Sequence, residues 1–236
     1  MSDLVTVVMA TKNSEQFLAE ALLSIANQSV GPVRTIVVDS ASADRTVEIA
    51  SQFSFITIVP QRSVGYHRAW SEGISLAVTP YVCLLDSDDL LTSRAIAGGL
   101  AVLHKMPERD AALGRVEFFG DSGASLSRAR RALSSGREHP PIPGCFMFRR
   151  SVFEKFGMFD SELTIMGDTE WFLSAQNAGL KIARHDAIVL KKRVHQRSLG
   201  MQATTSANYS QEMLEVVRRF HRRRITPADG AQRLNE

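Results

Sequence analysis

A three-layer α/β fold on a mostly parallel sheet is predicted by three features of the 236-residue chain. Apolar runs of strand length alternate with segments of helical periodicity through residues 4–90, joined by short connections. The strand-like runs lack polar alternation, as strands buried on both faces do. Two of them, residues 35–38 and 81–85, run directly into aspartates. Carboxylates then stand at the C-terminal edge of a parallel sheet, where open α/β sheets bind ligands.

The elements follow in order. Residues 4–9 are β-branched and almost uncharged, and read as the first strand. Ala10-Thr11-Lys12-Asn13-Ser14 breaks it. A helix over 15–27 carries Phe17, Leu18, Ala21, Leu22 and Ile25 on one face. Asn13 with Gln16 makes a capping box, and Ser14 competes as N-cap. Thr11 and Asn13 can serve as caps or as polar groups offered to a ligand. Gly31-Pro32 turns the chain into a second strand, 35–38, which leads into Asp39-Ser40-Ala41-Ser42-Ala43-Asp44. A second helix over 44–52 starts from an Asp or Ser cap. A third strand, 56–59, stops at Pro60, and Gly65 opens a loop into a helix over 67–77, with Ala69, Trp70, Ile74 and Leu76 as packing residues.

The fourth strand, 81–85, ends in Asp86-Ser87-Asp88-Asp89. Carboxylates this close repel unless a cation lies between them, and Mg²⁺ or Mn²⁺ with substrate phosphates is the usual occupant. An Asp-rich turn is the alternative, since Asp and Ser favour turns. Asp39 and Asp86 hold the same topological place, so a nucleotide across the edge would set its base near Asp39 and its phosphates near Asp86 and Asp88.

Beyond this cluster, residues 93–105 read as a helix weakened by Gly98-Gly99, and 116–119 as a strand. Residues 120–143, rich in Ser, Arg, Gly and Pro with Arg128, Arg130 and Arg131 grouped, form a long loop, either solvated or a functional lid. A strand over 144–148 precedes a short helix to 156 capped by Ser151. Gly167-Asp168-Thr169-Glu170-Trp171-Phe172-Leu173 opens another helix, closed by Gly179, with Asp168 at the N-cap where the dipole favours a carboxylate. A strand at 188–190 leads into Lys191-Lys192-Arg193-Val194-His195-Gln196-Arg197. The last helix, 208–224, sets Met213, Leu214, Val217 and Phe220 on one face and arginines on the other.

Bulk properties bound the function. The length fits one sizeable domain plus an extension. A net charge of +3 is mild, although Arg218, Arg219, Arg222, Arg223 and Arg224 concentrate it near the end, and no nucleic-acid partner is expected. Cys83 and Cys145 sit in apolar contexts and make no disulfide framework, which points to a reducing compartment. Met1-Ser2-Asp3 carries no basic signal region, and no apolar run approaches the ~20 residues a membrane span needs. A cytoplasmic location is expected, with possible docking on the inner face of the membrane.

Five ordered signals give a resemblance: Val7-Val8-Met9-Ala10-Thr11-Lys12-Asn13; Val37-Val38-Asp39-Ser40-Ala41-Ser42-Ala43-Asp44; Gly65 with Gly73; Leu84-Leu85-Asp86-Ser87-Asp88-Asp89; and the 167–173 run. Over residues 4–200 the chain resembles an inverting family-two glycosyltransferase of the GT-A fold. The resemblance implies a GT-A domain over 1–205, nucleotide-binding to about residue 90 and acceptor-binding thereafter, followed by a basic amphipathic helix and tail over 206–236. It implies donor binding by Ala10, Thr11, Asn13, Asp39, Arg68, Asp86 and Ser87, with Asp39 at the nucleotide base and Thr11 and Asn13 lining the nucleoside pocket. Asp86 and Asp88 match the D-x-D motif, Asp88 as direct ligand of Mn²⁺ or Mg²⁺ and Asp86 nearer ribose and phosphate. His195 matches a late histidine that approaches the metal or diphosphate, a structural role being the alternative. Asp168 matches the general base, which deprotonates an acceptor hydroxyl as it attacks the anomeric carbon. The implied donor is a nucleotide-diphosphate sugar, with UDP favoured. The acceptor is a glycan, a lipid-linked sugar or another hydroxyl compound.

The chain departs from the family pattern at Ser71, where relatives often carry Asn, and at Ser174, where they often carry Arg; Arg68 is assigned to phosphate on charge grounds. The processive Q-x-x-R-W signature is missing, which favours single-sugar transfer. Competing readings fit less well. Asp-nucleophile phosphohydrolases place Asp-x-Asp after the first strand, and nucleotidyltransferases carry a Gly-rich, Lys-containing loop there; here Thr11 and Lys12 follow. A non-catalytic alternative is a nucleotide-sugar-binding module that docks a partner or anionic membrane through its basic tail.

Overall fold

The structure is a computed structural model and describes residues 2–63, 65–120, 142–160, 162–195 and 207–225. The strands are β1 (Val5–Thr11), β2 (Arg34–Asp39), β3 (Ile56–Pro60), β4 (Tyr81–Asp86), β5 (Leu90–Leu91), β6 (Ala111–Gly120), β7 (Phe146–Arg149) and β8 (Ile182–Val194). The helices are α1 (Leu18–Ala26), α2 (Thr46–Ala50), α3 (Tyr66–Leu76), α4 (Ala95–Lys105), α5 (Ser151–Phe156), α6 (Gly167–Asn177) and α7 (Ala207–Ile225). One sheet runs in the order β3-β2-β1-β4-β7-β6-β8-β5. The first four strands are mutually parallel, β7 is antiparallel to both its neighbours, and β6 with β8 is parallel again. The expected α/β fold with a mostly parallel central sheet is therefore present.

Burial explains the first half. Every residue of β1 is buried, as the absence of alternation predicts for a central strand. α1 buries Leu18, Ala21, Leu22 and Ile25, the face its spacing marked. α3 buries Ala69, Trp70, Gly73 and Ile74. It lies so close to the sheet that a Cβ on Gly73 would stand 2.3 Å from Val8 Cγ1. Leu76, expected in this interface, is instead 45% exposed at the helix end.

The second half departs further from expectation. β6 and β8 are much longer than the predicted 116–119 and 188–190, and the two-residue β5 was not foreseen. Charged residues interrupt both long strands, which pair with each other through a bulge around Gly114, so pairing rather than local propensity makes them strands. Three caps also differ. Asn13 takes φ 49° and bonds across to the Ser42 hydroxyl and the Ala43 N–H instead of capping α1, whose N-cap is Phe17. α5 is preceded by Arg150 and α6 by Met166, so Ser151 and Asp168 lie inside their helices rather than at the caps.

α7 packs Val216 against Leu163 and Met166, with Tyr209 and Met213 alongside. Leu214 and Val217, expected on the packed face, are 56% and 44% exposed. Arg219 is held in ion pairs with Asp160, Glu162 and Glu215. Cys83 and Cys145 are buried free thiols pushed up to about 12 by burial. Among the described residues no helix is long and apolar enough to cross a membrane. Arg128, Arg130 and Arg131, most of the 120–143 loop, and Gln196 and Arg197 lie outside the described residues.

Candidate active site

Strand register assembles the site. β1 lies between β2 and β4, with Thr11 beside Asp39 and Ala10 beside Asp86. The chain leaves β1 in one direction and returns to its other side at β4, which opens a crevice at the C-terminal edge. Asp39, 8% exposed, accepts the Ser42 N–H (3.0 Å) and hydroxyl (2.5 Å), which folds the loop after β2 into a tight turn. Ala41 adopts φ 57° within it. Asn13 stitches the loop after β1 to this turn: Ser42 Oγ accepts its N–H at 2.9 Å, and its Oδ1 accepts the Ala43 N–H at 2.8 Å. The Ser14 and Ser87 hydroxyls share a hydrogen bond at 2.7 Å, tying that loop to the acidic cluster. Thr11 is 3% exposed, yet its Oγ1 finds no hydrogen-bond partner among the described residues. Buried hydroxyls are normally satisfied, so this one is a candidate for a ligand contact.

Beside this pocket, carboxylate oxygens of Asp86, Asp88 and Asp89 lie within 4.8 Å of one another. Their surroundings separate their roles. Asp89 is 1% exposed; its Oδ2 accepts from Lys192 Nζ (2.9 Å) and its Oδ1 accepts the Arg193 N–H (2.8 Å). Burial, reinforced by Asp86 and Asp88 and opposed by Lys192, pushes it up to about 7. Asp86 accepts from the Tyr66 hydroxyl and from Lys192 Nζ (3.1 Å). Burial, then the Asp86 charge, drives the Tyr66 phenol well above its usual value, so it stays a donor. For Lys192, burial disfavours the charge, but Asp89, Asp86 and Asp88 outweigh it and keep the ammonium protonated. Asp88 accepts from His195 Nε2 at 2.9 Å through Oδ2, and its carbonyl accepts from Arg193 Nε at 2.9 Å. Arg193 itself is sandwiched between the Phe17 and Phe119 rings and paired with Glu20.

This donor set suits a hard divalent cation. All three cluster ligands are oxygens, and the carboxylates outnumber the one lysine among them, which leaves net negative charge for a cation to neutralise. The side chains of Asp86 and Asp88 are 26% and 24% exposed and can meet a ligand, whereas Asp89, at 2%, is a buried strut between β4 and β8.

The second half supplies Asp168 in the first turn of α6. Its side chain is 26% exposed, and Oδ1 accepts the Thr169 N–H at 2.6 Å; among the described residues no hydrogen bond falls on Oδ2. Burial raises its pKa, the Asp86 charge adds to the rise, and the Thr169 N–H opposes it. Behind it, Trp171 and Phe172 lock α6 into an aromatic cluster with Phe148, Phe153 and Phe159. Adjacent residues at the start of α3 reach both acidic groups, Tyr66 bonding to Asp86 and His67 to the Asp168 N–H, which sets Asp168 near the cluster.

Ala10, Thr11, Asn13, Asp39, Asp86, Ser87, Asp88, Asp168 and His195 thus line one edge of the fold. Arg68 is half-buried on α3, its stem folded toward Gly65. Sequence reading missed Tyr66, His67, Lys192 and Arg193. Lys192 and Arg193 stood in a visible basic run, but only the β6–β8 pairing aims them at the cluster. Tyr66 falls in the loop before the helix expected over 67–77, and His67 looks like an ordinary first-turn residue.

Comparison with known proteins adds to this geometry. The family model for glycosyl transferase family 2 matches residues 6–157. The O-antigen chain rhamnosyltransferase RfbN of Salmonella typhimurium is 27% identical over 199 residues, covering 76% of this chain and 63% of that protein. The crystal structure of S. aureus TarS 1-349 in complex with UDP-GlcNAc superposes with a TM-score of 0.74 at 18% identity, over 96% of this chain and 68% of that one. The mannosyltransferase PcManGT from Pyrobaculum calidifontis, in complex with GDP-Man and Mn²⁺, gives a TM-score of 0.69 at 21% identity, over 97% and 65%. The chain spans less than two-thirds of the length of the first curated relatives it matches.

Proposed function

The chain belongs to glycosyl transferase family 2, the family model matching more than half of it, and we propose on that premise that it moves a single sugar from a nucleotide-diphosphate sugar to an acceptor hydroxyl with inversion. One observation supports the reading: neighbouring residues of α3 join a carboxylate cluster suited to a diphosphate's cation to a separate raised-pKa carboxylate, Asp168. Asp88, with Oδ1 uncommitted among the described residues, would hold Mn²⁺ or Mg²⁺ with Asp86 beside it. Such an ion, when bound, neutralises the charge that builds on the departing diphosphate. Tyr66 and Lys192 hold Asp86 in place, and Lys192 adds a fixed positive charge on the same side.

Asp168 Oδ2 takes the acceptor hydroxyl's proton while the hydroxyl oxygen forms its bond to the anomeric carbon. The bond from that carbon to the diphosphate oxygen breaks, and its electron pair leaves with the diphosphate. Thr169 holds Oδ1, so the proton has one destination. The nucleoside lies along Ala10, Thr11, Asn13 and Asp39, with Thr11 Oγ1 bonding to it. Structural neighbours bind UDP-GlcNAc and GDP-Man, and a uridine donor is the first to test. The acceptor is a glycan or lipid-linked sugar. The outward row of Leu214, Val217 and Arg218 on α7 supports peripheral contact with an anionic membrane carrying it.

A panel of nucleotide sugars incubated with Mn²⁺ or Mg²⁺, with and without chelator, tests the assignment. Release of nucleoside diphosphate from one donor, abolished by chelation, is expected. Binding of a nucleotide sugar without turnover under any acceptor would leave the binding-module reading instead.

A further inference from the structure

Residues 163–166 lead into α6, and backbone groups at the mouth of a helix lack partners within it. Two side chains from distant parts of the chain take them up. From the interior, His67 of α3, 3% exposed, donates from Nδ1 to the Leu163 carbonyl (3.1 Å) and accepts the Asp168 N–H at Nε2 (3.2 Å). A carbonyl only accepts and an amide N–H only donates, so the two contacts together require a proton on Nδ1 and a lone pair on Nε2. Gly167 makes room for the ring: a Cβ there would stand 2.8 Å from Nδ1. Tyr66, Trp70 and Phe159 wall the imidazole in.

From the outside, Glu212 of α7 closes the other side. Its Oε1 accepts the Thr164 N–H (2.9 Å) and hydroxyl (2.5 Å), and its Oε2 accepts the N–H groups of Ile165 (2.8 Å) and Met166 (2.9 Å). Burial disfavours this carboxylate, but the Thr164 hydroxyl and the Met166, Ile165 and Thr164 amides outweigh it and hold its pKa below the usual value. α7 is seated for this by Val216 against Leu163 and Met166, and by the Arg219 ion pairs to Asp160 and Glu162.

We propose that His67 and Glu212 are positioning residues for Asp168, clamping segment 163–168 from both sides, so that α7 is a working part of the active face. This deepens the reading of Asp168 as general base and rests on it. A catalytic group displaced by about 1 Å can lose on the order of 100-fold in rate, while donor binding at the other end of the cleft is untouched.

The test compares Asp168→Asn, Glu212→Ala, Glu212→Gln and His67→Ala in the 236-residue chain. Transfer kinetics are read beside the affinity for nucleoside diphosphate with Mn²⁺ and the melting temperature. Glu212→Ala and His67→Ala should lower kcat about 10- to 100-fold with diphosphate affinity within about twofold of wild type. Glu212→Gln, which keeps an acceptor oxygen, should recover part of that loss, and added imidazole should raise kcat of His67→Ala but not of wild type. Wild-type kcat in both alanine variants beside an inactive Asp168→Asn overturns the clamp and leaves the base standing. Parallel loss of kcat and diphosphate affinity, without recovery by glutamine or imidazole, also overturns it as mere structural damage. Near-normal turnover by Asp168→Asn sinks the base itself and the clamp's catalytic purpose with it.

Discussion

Two residues carry the sharpest predictions. As the proposed base, Asp168 must be ionised to accept a proton, and burial raises its pKa above the ordinary 3.8. Transfer should therefore fall as pH drops through a value above 3.8, with a single-proton acid limb in kcat. Asp168→Asn should cut transfer by about 10²- to 10⁴-fold and abolish that limb, while diphosphate affinity stays the same. Thr11 offers an independent check, because its buried hydroxyl has no hydrogen-bond partner among the described residues. Thr11→Val keeps the shape and removes an unpaired polar group, so urea denaturation should show stability unchanged or slightly higher. Donor affinity should fall by about 5- to 10-fold, the worth of a typical hydrogen bond of about 1 kcal/mol. A variant that binds donor normally would remove Thr11 from the nucleoside pocket. Legibility was uneven at this scale. Asp39, Asp86, Asp88 and Asp168 could be read because each stands at a recognisable element boundary. Lys192 and His67 could not, since a lysine after a strand and a histidine in a helix have many ordinary uses.

At the scale of elements, α3 is the piece on which the two halves of the site depend. Its first turn supplies Tyr66 to Asp86 and His67 to Asp168, and its middle lies against β1 and β2. Close approach at Gly73 sets its height above the sheet. Alanine in a helix normally gains about 1 kcal/mol over glycine. At Gly73 the new Cβ would meet Val8 Cγ1 at 2.3 Å and Val38 Cγ2 at 3.2 Å, neither of them the end of a flexible chain. Overpacking of that kind costs about 1–3 kcal/mol, so Gly73→Ala should destabilise overall. Gly98 in α4 is the control: nothing lies within 4 Å of its Cβ position, and Gly98→Ala should stabilise by about 0.5–1 kcal/mol. Chemical denaturation of both variants, one falling and one rising, checks the pair. The first-half strands were legible because burial on both faces leaves continuous apolar runs. β6 and β8 were only partly so, because charged residues such as Arg184, Lys191 and Lys192 enter a strand through pairing with β6.

For the molecule as a whole, the site spans the chain. β1, β2 and β4 bring the pocket and the acidic cluster; α6 brings Asp168; β8 reaches back so that Lys192, Arg193 and His195 grip residues 86–89. α7 braces the segment that carries Asp168. The sequence by itself determined the α/β class, the order of the early elements and the carboxylates at their ends. Those features are written in local periodicity and in abrupt changes from apolar to acidic residues. Tertiary structure alone decided which charges share one space: that Lys192 lies between Asp86 and Asp89, that Asp89 is a buried strut, and that His67 and Glu212 close on the peptide groups before Asp168. These contacts join residues tens to more than a hundred positions apart. No local pattern encodes them, because each becomes favourable only after packing has removed water and left a donor facing an acceptor.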